Sequence, residues 1–370
     1  IDLNNDSTTV NNGTKSESLP NRDMDYPVFT SAQFGNGVLH VAGYVGSAAN
    51  QSTFASSRVE VFLSDNDATG YGEGQTYLGY VTADASGNFS GSITTGSVAV
   101  GNKVTGTATD TTANNSTSEF GPNYTVTQAT FTVSGTVFED MNYGGGNGRN
   151  KATALADGGS ARSGARVELY DNAGAFVTST TTDGSGNYSF AAQNAGTYTV
   201  RVVNSTVSSS RTGYTASHLA VQTFRTDASS GTASDVYDYV GGQTPNLVDA
   251  ASNTTNATLA SLTTGSTTAQ SIATVTGGIA TITGVDFGYS FNVVVNTNDS
   301  GQGSLRQFMT HANALSNTGL AINGRTAGID HAIFMISNGT AAAGLRAANN
   351  YFSSGVASIA PTSALPTITQ

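Results

Sequence analysis

Two short runs of oxygen-bearing side chains carry the clearest chemistry in this chain. Asp140 and Asn142, followed by Gly145, stand at positions 1, 3 and 6 of a loop of the kind that wraps a hard divalent cation. Such a cation takes about six to eight oxygens from carboxylates, amides and carbonyls. Here Gly144 falls at position 5 and Lys151 at position 12, where a bidentate carboxylate is usual. Asp157, Asp171 or Asp183 would have to complete the shell from elsewhere. A second half-pattern, D-x-D-x-T-G-x-x-E, is made by Asp65, Asp67, Gly70 and Glu73, with Thr76 at its twelfth position. The chemistry expected of either run is calcium (Ca2+) binding. The competing reading is a solvated Gly-rich turn for the first run and an acidic hairpin loop for the second.

Other chemistries find less support. His40, His218, His311 and His331 are scattered, and none stands at metal-ligand spacing from another. Neither a nucleophile elbow nor a phosphate-binding loop occurs. Cysteine is absent, which removes disulfides and thiolate metal sites. Tyr71, Tyr77 and Tyr80 lie close together near the acidic run and could stack on sugar rings. Their odd and even positions on a strand should turn some of them inward, so a core or rim role is the alternative. No enzymatic activity is expected.

Charged residues make up 11% of the chain, far below the roughly 25% of ordinary soluble domains. The net charge is −11, and the 14 basic residues form no cluster that could displace phosphate counterions, so nucleic acid is excluded as a partner. No apolar run approaches the ~18 residues of a membrane helix, so no membrane insertion is expected. The recurrence of β-branched and aromatic residues, with 15 Tyr and 16 Phe, marks a folded chain and not a disordered one. The 370 residues suit two to three domains of roughly 150 residues each.

The elements that must position these groups are strands. Residues 38–45, 58–64, 76–83, 87–94 and 103–110 alternate with period two, and turn clusters separate them. A second set begins at Phe131 and runs through 165–171, 175–183, 187–190 and 196–203, with its last strand at 283–291. Between them, about 204–282 is too long for an unstructured loop and should pack as an elaboration of the sandwich. D-A-S-G-N-F-S at 84–90 recurs as D-G-S-G-N-Y-S at 183–189. Both read as a hairpin corner in which Asp accepts local N–H bonds and Gly supplies a positive φ. Ser304 and Gln307 form a capping box for a short helix that presents Leu305, Phe308, Ala312 and Leu315 on one face.

The second set, through SGTVFEDMN, GARVELYD, TTTDGSGNYSF, AGTYTVRVV and GVDFGYSF, resembles the B-type modules of bacterial serine-aspartate-repeat surface adhesins. That resemblance implies a transthyretin-like β-sandwich, often with calcium at the loop of Asp140 and Asn142. Residues 28–126, through GYGEGQTYLG, TADASGNFS and TATDTTANNSTSEF, resemble immunoglobulin-like linking modules of large secreted bacterial proteins. VNTNDSGQGSLRQFMTHAN at 295–313 resembles the opening of a right-handed parallel β-helix, and residues 1–28 resemble the end of one. Related surface sandwiches carry Lys–Asn isopeptide bonds, for which Lys103 with Glu60 alongside would be the place.

The expected fold class is all-β: tandem β-sandwiches, immunoglobulin-like and then transthyretin-like, flanked by partial β-helix segments. The expected divisions are 1–27, 28–127, 128–291 with the insertion at about 204–282, and 292–370. The resemblances imply a non-enzymatic extracellular or cell-surface structural protein, a repeat or subunit of a bacterial fibre. Its partners would be copies of itself joined head-to-tail through the terminal segments, or neighbouring modules of a longer chain. The alternative is an adhesin stalk or a module that binds surface glycans or matrix.

Overall fold

A computed structural model of the chain describes residues 8–112, 114–347 and 349–369. The start of the segment read as a β-helix end, residues 1–7, lies outside the described residues. The chain is nearly all β and divides into two compact units, one reaching Phe131 and including 194–196, the other holding 132–193 and 197 onward.

The first unit contains β1 (Pro27–Gly35), β2 (Val38–Val45), β3 (Arg58–Ser64), β4 (Gly74–Thr82), β5 (Asn88–Thr94), β6 (Lys103–Asp110) and the two-residue strands β7 (Ser116–Thr117), β8 (Tyr124–Thr125) and β9 (Thr127–Gln128). They form two sheets, ordered β5-β2-β1-β9 and β4-β3-β6-β7, with β8 also on β6. Period-two alternation sends Leu39 and Val41, Val59 and Val61, Phe89 and Ile93, and Val104 and Ala108 into one core around Phe29 and Phe54. The β1–β2 hairpin turns through Asn36 and Gly37 with φ of +52° and +75°. That conformation is the two-residue turn whose twist matches antiparallel strands, and Asn-Gly is its best sequence.

Ahead of β1, residues 8–26 contain no strand and are held by polar contacts with the first unit. Asn11 donates to the carbonyls of Tyr26 and Gly46 and accepts from the Tyr26 N–H. Asp25 accepts the N–H groups of Asn12 and Gly13. Lys15 reaches the buried carboxylate of Asp110 at 2.6 Å, and Arg22 supports it at 3.4 Å. Burial works against the ionised Asp110, but Lys15 and the hydroxyl and N–H of Thr112 outweigh it and hold the pKa below the usual range. A carboxylate depressed in the folded state contributes stability above its unfolded value near ~3.9, and the contribution is lost as pH falls through the folded value. Asp110→Asn is therefore expected to loosen residues 8–26 at neutral pH, by about 1–3 kcal/mol of local opening. The wild type should loosen in the same way only below about pH 4. Hydrogen exchange at Asn12 and Gly13 reads both; unchanged protection in the variant would count against the ion pair as the tether.

The second unit is built from β10 (Thr130–Glu139), α1 (Lys151–Ala156), β11 (Ser160–Ala161), β12 (Arg166–Asp171), β13 (Phe176–Thr181), β14 (Asn187–Asn194), β15 (Gly196–Val202), β16 (Val221–Asp227), β17 (Ser234–Val236), β18 (Val248–Asp249), β19 (Thr267–Thr268), β20 (Ser271–Gly277), β21 (Phe287–Ser290), β22 (Val293–Val294), α2 (Leu305–Ala314) and β23 (Ile333–Phe334). One sheet runs β11-β10-β21-β16-β17 with β14 also on β10; the other runs β13-β12-β15-β20. The stretch 204–282 supplies β16 to the first of these sheets and β20 to the edge of the second. It is thus part of both layers and not an appendage to them. Strand β21 pairs parallel with β10 and antiparallel with β16, so the late strand enters the middle of its sheet.

The same stretch covers the outer face of the β12–β15 sheet, where the sequence places charges. Glu168 and Arg201 face each other across these strands. Arg201 is 0% exposed; it donates to Glu168 at 2.7 Å, to Asp249 at 3.3 Å and to the carbonyls of Ala250 and Ala251. Glu168 also accepts from Arg166, the Tyr170 hydroxyl and the Asn253 N–H. Asp249 takes the N–H groups of Asn204 and Gln270. Removing the shared cation leaves the buried carboxylate of Asp249 without a counterion and Glu168 with Arg166 alone. Arg201→Leu is expected to cost about 3–5 kcal/mol in chemical denaturation of this unit, and a loss under about 1 kcal/mol, the scale of an exposed pair, would refute the central role of Arg201.

After β21 the chain stays within this unit. Ser304 caps α2 by accepting the Gln307 N–H at 3.2 Å, and the Gln307 side chain returns to the Gly303 N–H. The reciprocal bond lands one residue before the cap and the Ser304 N–H goes to the Gly301 carbonyl, so the expected box forms only in its first half. Phe308, Ala312 and Leu315 are buried as the spacing predicts, and Leu305 packs beside them. Val293, Val295, Ile322, Ile333 and Met335 share a core with Tyr143, Val221 and Val240 of the sandwich. Strands β22 and β23 make a two-residue parallel pair. Buried Arg211 ties the layers by donating to Asn292, to the carbonyls of Leu315 and Ser316, to Asn317, and to Asp330 at 2.6 Å.

Candidate functional site

Strand β10 delivers Asp140 to the start of a Gly-rich loop that ends in α1, and Asn150 caps that helix by accepting the Thr153 N–H. Asp140 is fully buried, and both its oxygens accept from Arg149: Oδ2 from Nε at 2.9 Å and Oδ1 from Nη2. The same guanidinium donates through Nη1 to Asp157. Asn142 has its amide oxygen on the Ala321 N–H and its amide nitrogen on the Asp157 carbonyl. The carbonyl of Gly146, at the seventh position of the pattern, accepts the Tyr143 hydroxyl. Lys151 points to Asp286 at 3.7 Å and to Thr136. Burial pushes the Asp140 pKa up, and Arg149 pulls the other way. Burial also disfavours charged Arg149, but Asp140 and Asp157 more than restore it, and its pKa rises.

The residues present do not fit a calcium ion in this arrangement. Every loop oxygen that the spacing offers at positions 1, 3 and 7 is occupied by a donor of the chain itself. Asp183 does not complete the shell either. Its Oδ1 accepts the Ser185 and Asn187 N–H groups, and these bonds hold its pKa down. Asp84 uses Ser86 and Asn88 in the same way, so the internal echo is one turn built twice. Asp171 makes it a third time with Ala173 and Ala175. All three turns place glycine at a positive φ, Gly87 at +77°, Gly174 at +78° and Gly186 at +73°.

In the first unit, Asp65 accepts the Asp67 N–H at 3.2 Å, and Asp67 accepts the N–H and hydroxyl of Thr69. The Glu73 carbonyl closes the loop onto the Asp65 N–H. Asp65, Asp67 and Glu73 are surface groups of a hairpin loop, and the Thr69 contacts hold the Asp67 pKa down. Among the described residues no three His, Cys, Asp or Glu side chains gather as a metal cluster. Glu60 is bound by Arg58 at 3.0 Å and lies opposite Thr107, well along the ladder from Lys103, so it does not stand alongside that lysine as a Lys–Asn isopeptide bond would need.

The tyrosines depart from simple alternation. The β3–β4 ladder shifts between Val61 and Phe62, opposite Gly79 with φ of +150°. The extra residue buries Leu78 and Val81 while Tyr77 and Tyr80, 50% and 52% exposed, both face solvent. Arg58 links them, its guanidinium 3.8 Å from the Tyr80 ring centroid and 3.3 Å from the Tyr77 hydroxyl. Two histidines that looked scattered also meet: His218 and His311 have ring centroids 5.3 Å apart. Burial pulls the His311 pKa down to about 4, and its Nδ1 lies 2.7 Å from the Phe291 carbonyl.

The groups that matter most here, Arg149, Arg201 and Arg211, were not singled out by motif. A signal for one of them existed. Arg201 sits between Val200 and Val202 in an apolar strand, as Glu168 sits between Val167 and Leu169.

Residues 131–251 match the SdrD B-like domain family. The match covers about a third of the chain and agrees with the resemblance of the second sandwich to B-type adhesin modules; it does not extend to the expected β-helix opening. Among solved structures, the chain is similar to the major pilin subunit BcpA of Bacillus cereus at 13% identity, covering 50% of this chain and 60% of that one with a TM-score of 0.19. A minor pilin of Streptococcus agalactiae overlaps at 10% identity over 64% of this chain and 82% of that one, with a TM-score of 0.20. The TIE protein of Bacillus anthracis overlaps at 11% identity over 74% and 42%, with a TM-score of 0.26.

The repeated turn allows a graded test. A Cβ on Gly174 would meet nothing closer than 3.7 Å, so Gly174→Ala should cost only the left-handed backbone penalty, about 1–2 kcal/mol. On Gly186 it would lie 2.6 Å from the Val137 carbonyl oxygen and 2.9 Å from the Arg162 nitrogen. Gly186→Ala should therefore lower the melting midpoint clearly more than Gly174→Ala; equal losses would refute the packing account.

Proposed function

We propose that this chain is a non-enzymatic structural module of a bacterial cell-surface fibre or adhesin, working outside the cell. The match of residues 131–251 to the SdrD B-like domain carries this reading. Consistent with it, the chain's cations are spent on tying its own loops and layers, as Arg149, Arg201 and Arg211 do. Head-to-tail joining is the assembly this reading favours. Residues 8–26 are held by their own unit, so the joining edge would be the short parallel pair of β22 and β23, where Phe334 is 54% exposed. Negative-stain imaging of the wild type and Phe334→Glu tests it. End-to-end strings in the wild type, lost in the variant without a change in melting, are expected. Single particles at every concentration would overturn self-assembly and leave a module within a longer chain.

A second reading, glycan or matrix binding, is favoured by the outward placement of Tyr77 and Tyr80 beside Arg58. It expects a glycan-array signal that Tyr77→Ala removes. A blank array would end it.

A further inference from the structure

The loop that the sequence marks for calcium holds a cation of its own. We propose that the Arg149 guanidinium replaces the divalent ion there, and that this built-in cation locks the loop as a metal-independent socket for the segment 320–345.

The geometry supports each half of this. Arg149 is the tenth residue of the pattern that begins at Asp140, so it folds back onto the loop's own start. Its planar fork meets both oxygens of one buried carboxylate and one oxygen of a second, Asp157. That is the bidentate recognition for which guanidinium is suited, and it sets one positive charge between the two carboxylates where a divalent ion would set two. The loop so fixed then receives the later segment. Asn142 accepts the Ala321 N–H at 2.8 Å, and Asn147 accepts the Gly344 N–H at 3.2 Å. Tyr143 packs with Ile322, Ile333 and Met335. The Gly-rich composition serves close approach: a Cβ on Gly144 would come 3.0 Å from Ile322, and one on Gly344 would come 2.2 Å from the Gly146 carbonyl oxygen. The difference from a calcium-dependent module is therefore one of control, because the docking cannot be switched by the cation supply.

The test reads the socket locally, so that a cation response elsewhere in the chain does not confuse it. Hydrogen exchange across 320–345 is followed in the full chain with excess EDTA and with millimolar calcium chloride. The wild type should show the same protection in both. Arg149→Ala should lose that protection in EDTA and regain it with calcium, with a melting midpoint lower by roughly 5–10 °C in EDTA. Calcium-dependent protection in the wild type, or wild-type protection of Arg149→Ala in EDTA, would overturn the proposal. If Arg149→Ala does not fold in EDTA, Asp157→Asn decides. Its loss of midpoint should be equal in calcium and in EDTA, and a loss confined to calcium would identify Asp157 as a metal ligand instead.

Discussion

The second unit depends on one buried cation. Arg201 lies fully inside the protein between Glu168 and Asp249, and nothing about a lone arginine makes that favourable. Taking three charges out of water costs several kcal/mol per ion, and the cost is met only by close pairing and further hydrogen bonds; of the Arg201 nitrogens, Nε alone is left without a partner. Here the partners come from several parts of the chain: Arg166 and Tyr170 on the same strand as Glu168, Asn204 beyond β15, and Gln270 and Asn253 from the long polar stretch. The polar stretch can only lie where those bonds place it.

The same device recurs at smaller scale. Arg149 gathers the Gly-rich loop, Arg211 gathers the segment after β21, and Lys15 with Arg22 gathers the residues before β1. Arg149 and Arg211 each serve several acceptors, whereas Lys15 and Arg22 converge on one carboxylate, Asp110. A chain with so few charges, 11% of residues, uses them mostly as internal fasteners. Side-chain-capped turns do the remaining work, with Asp84, Asp171 and Asp183 each closing a hairpin through two N–H groups.

How much of this could be read beforehand varied by element. Strands β2 to β6 of the first unit were legible because period two survives in their residue types, whereas β1 was not among the strands read and β6 is buried on both faces. The helix after Ser304 was legible because capping is a local bond between near neighbours. The turn at 183–189 was legible for the same reason. Tyr77 and Tyr80 were misjudged because a bulge at Gly79 shifts the count by one, and a bulge leaves little mark in composition. The role of 204–282 was hidden because β16 and β20 pair with strands remote in sequence. The acidic loop was misleading in a more instructive way. Asp140 and Asn142 are spaced for a cation, and a cation does sit on Asp140, but it is a side chain nine residues away.

Sequence alone determined what is local: alternation into strands, the Asp-led turns and the cap of the helix after Ser304. Those follow from bonds and sterics within a few residues, which residue types specify directly. Only the tertiary structure decided which acid each arginine would serve, which face of the β12–β15 sheet would be buried, and whether the oxygens of the Asp140 loop stay open for a metal. Burial and charge pairing depend on neighbours brought together by the whole fold, and their sign changes with the partner that arrives.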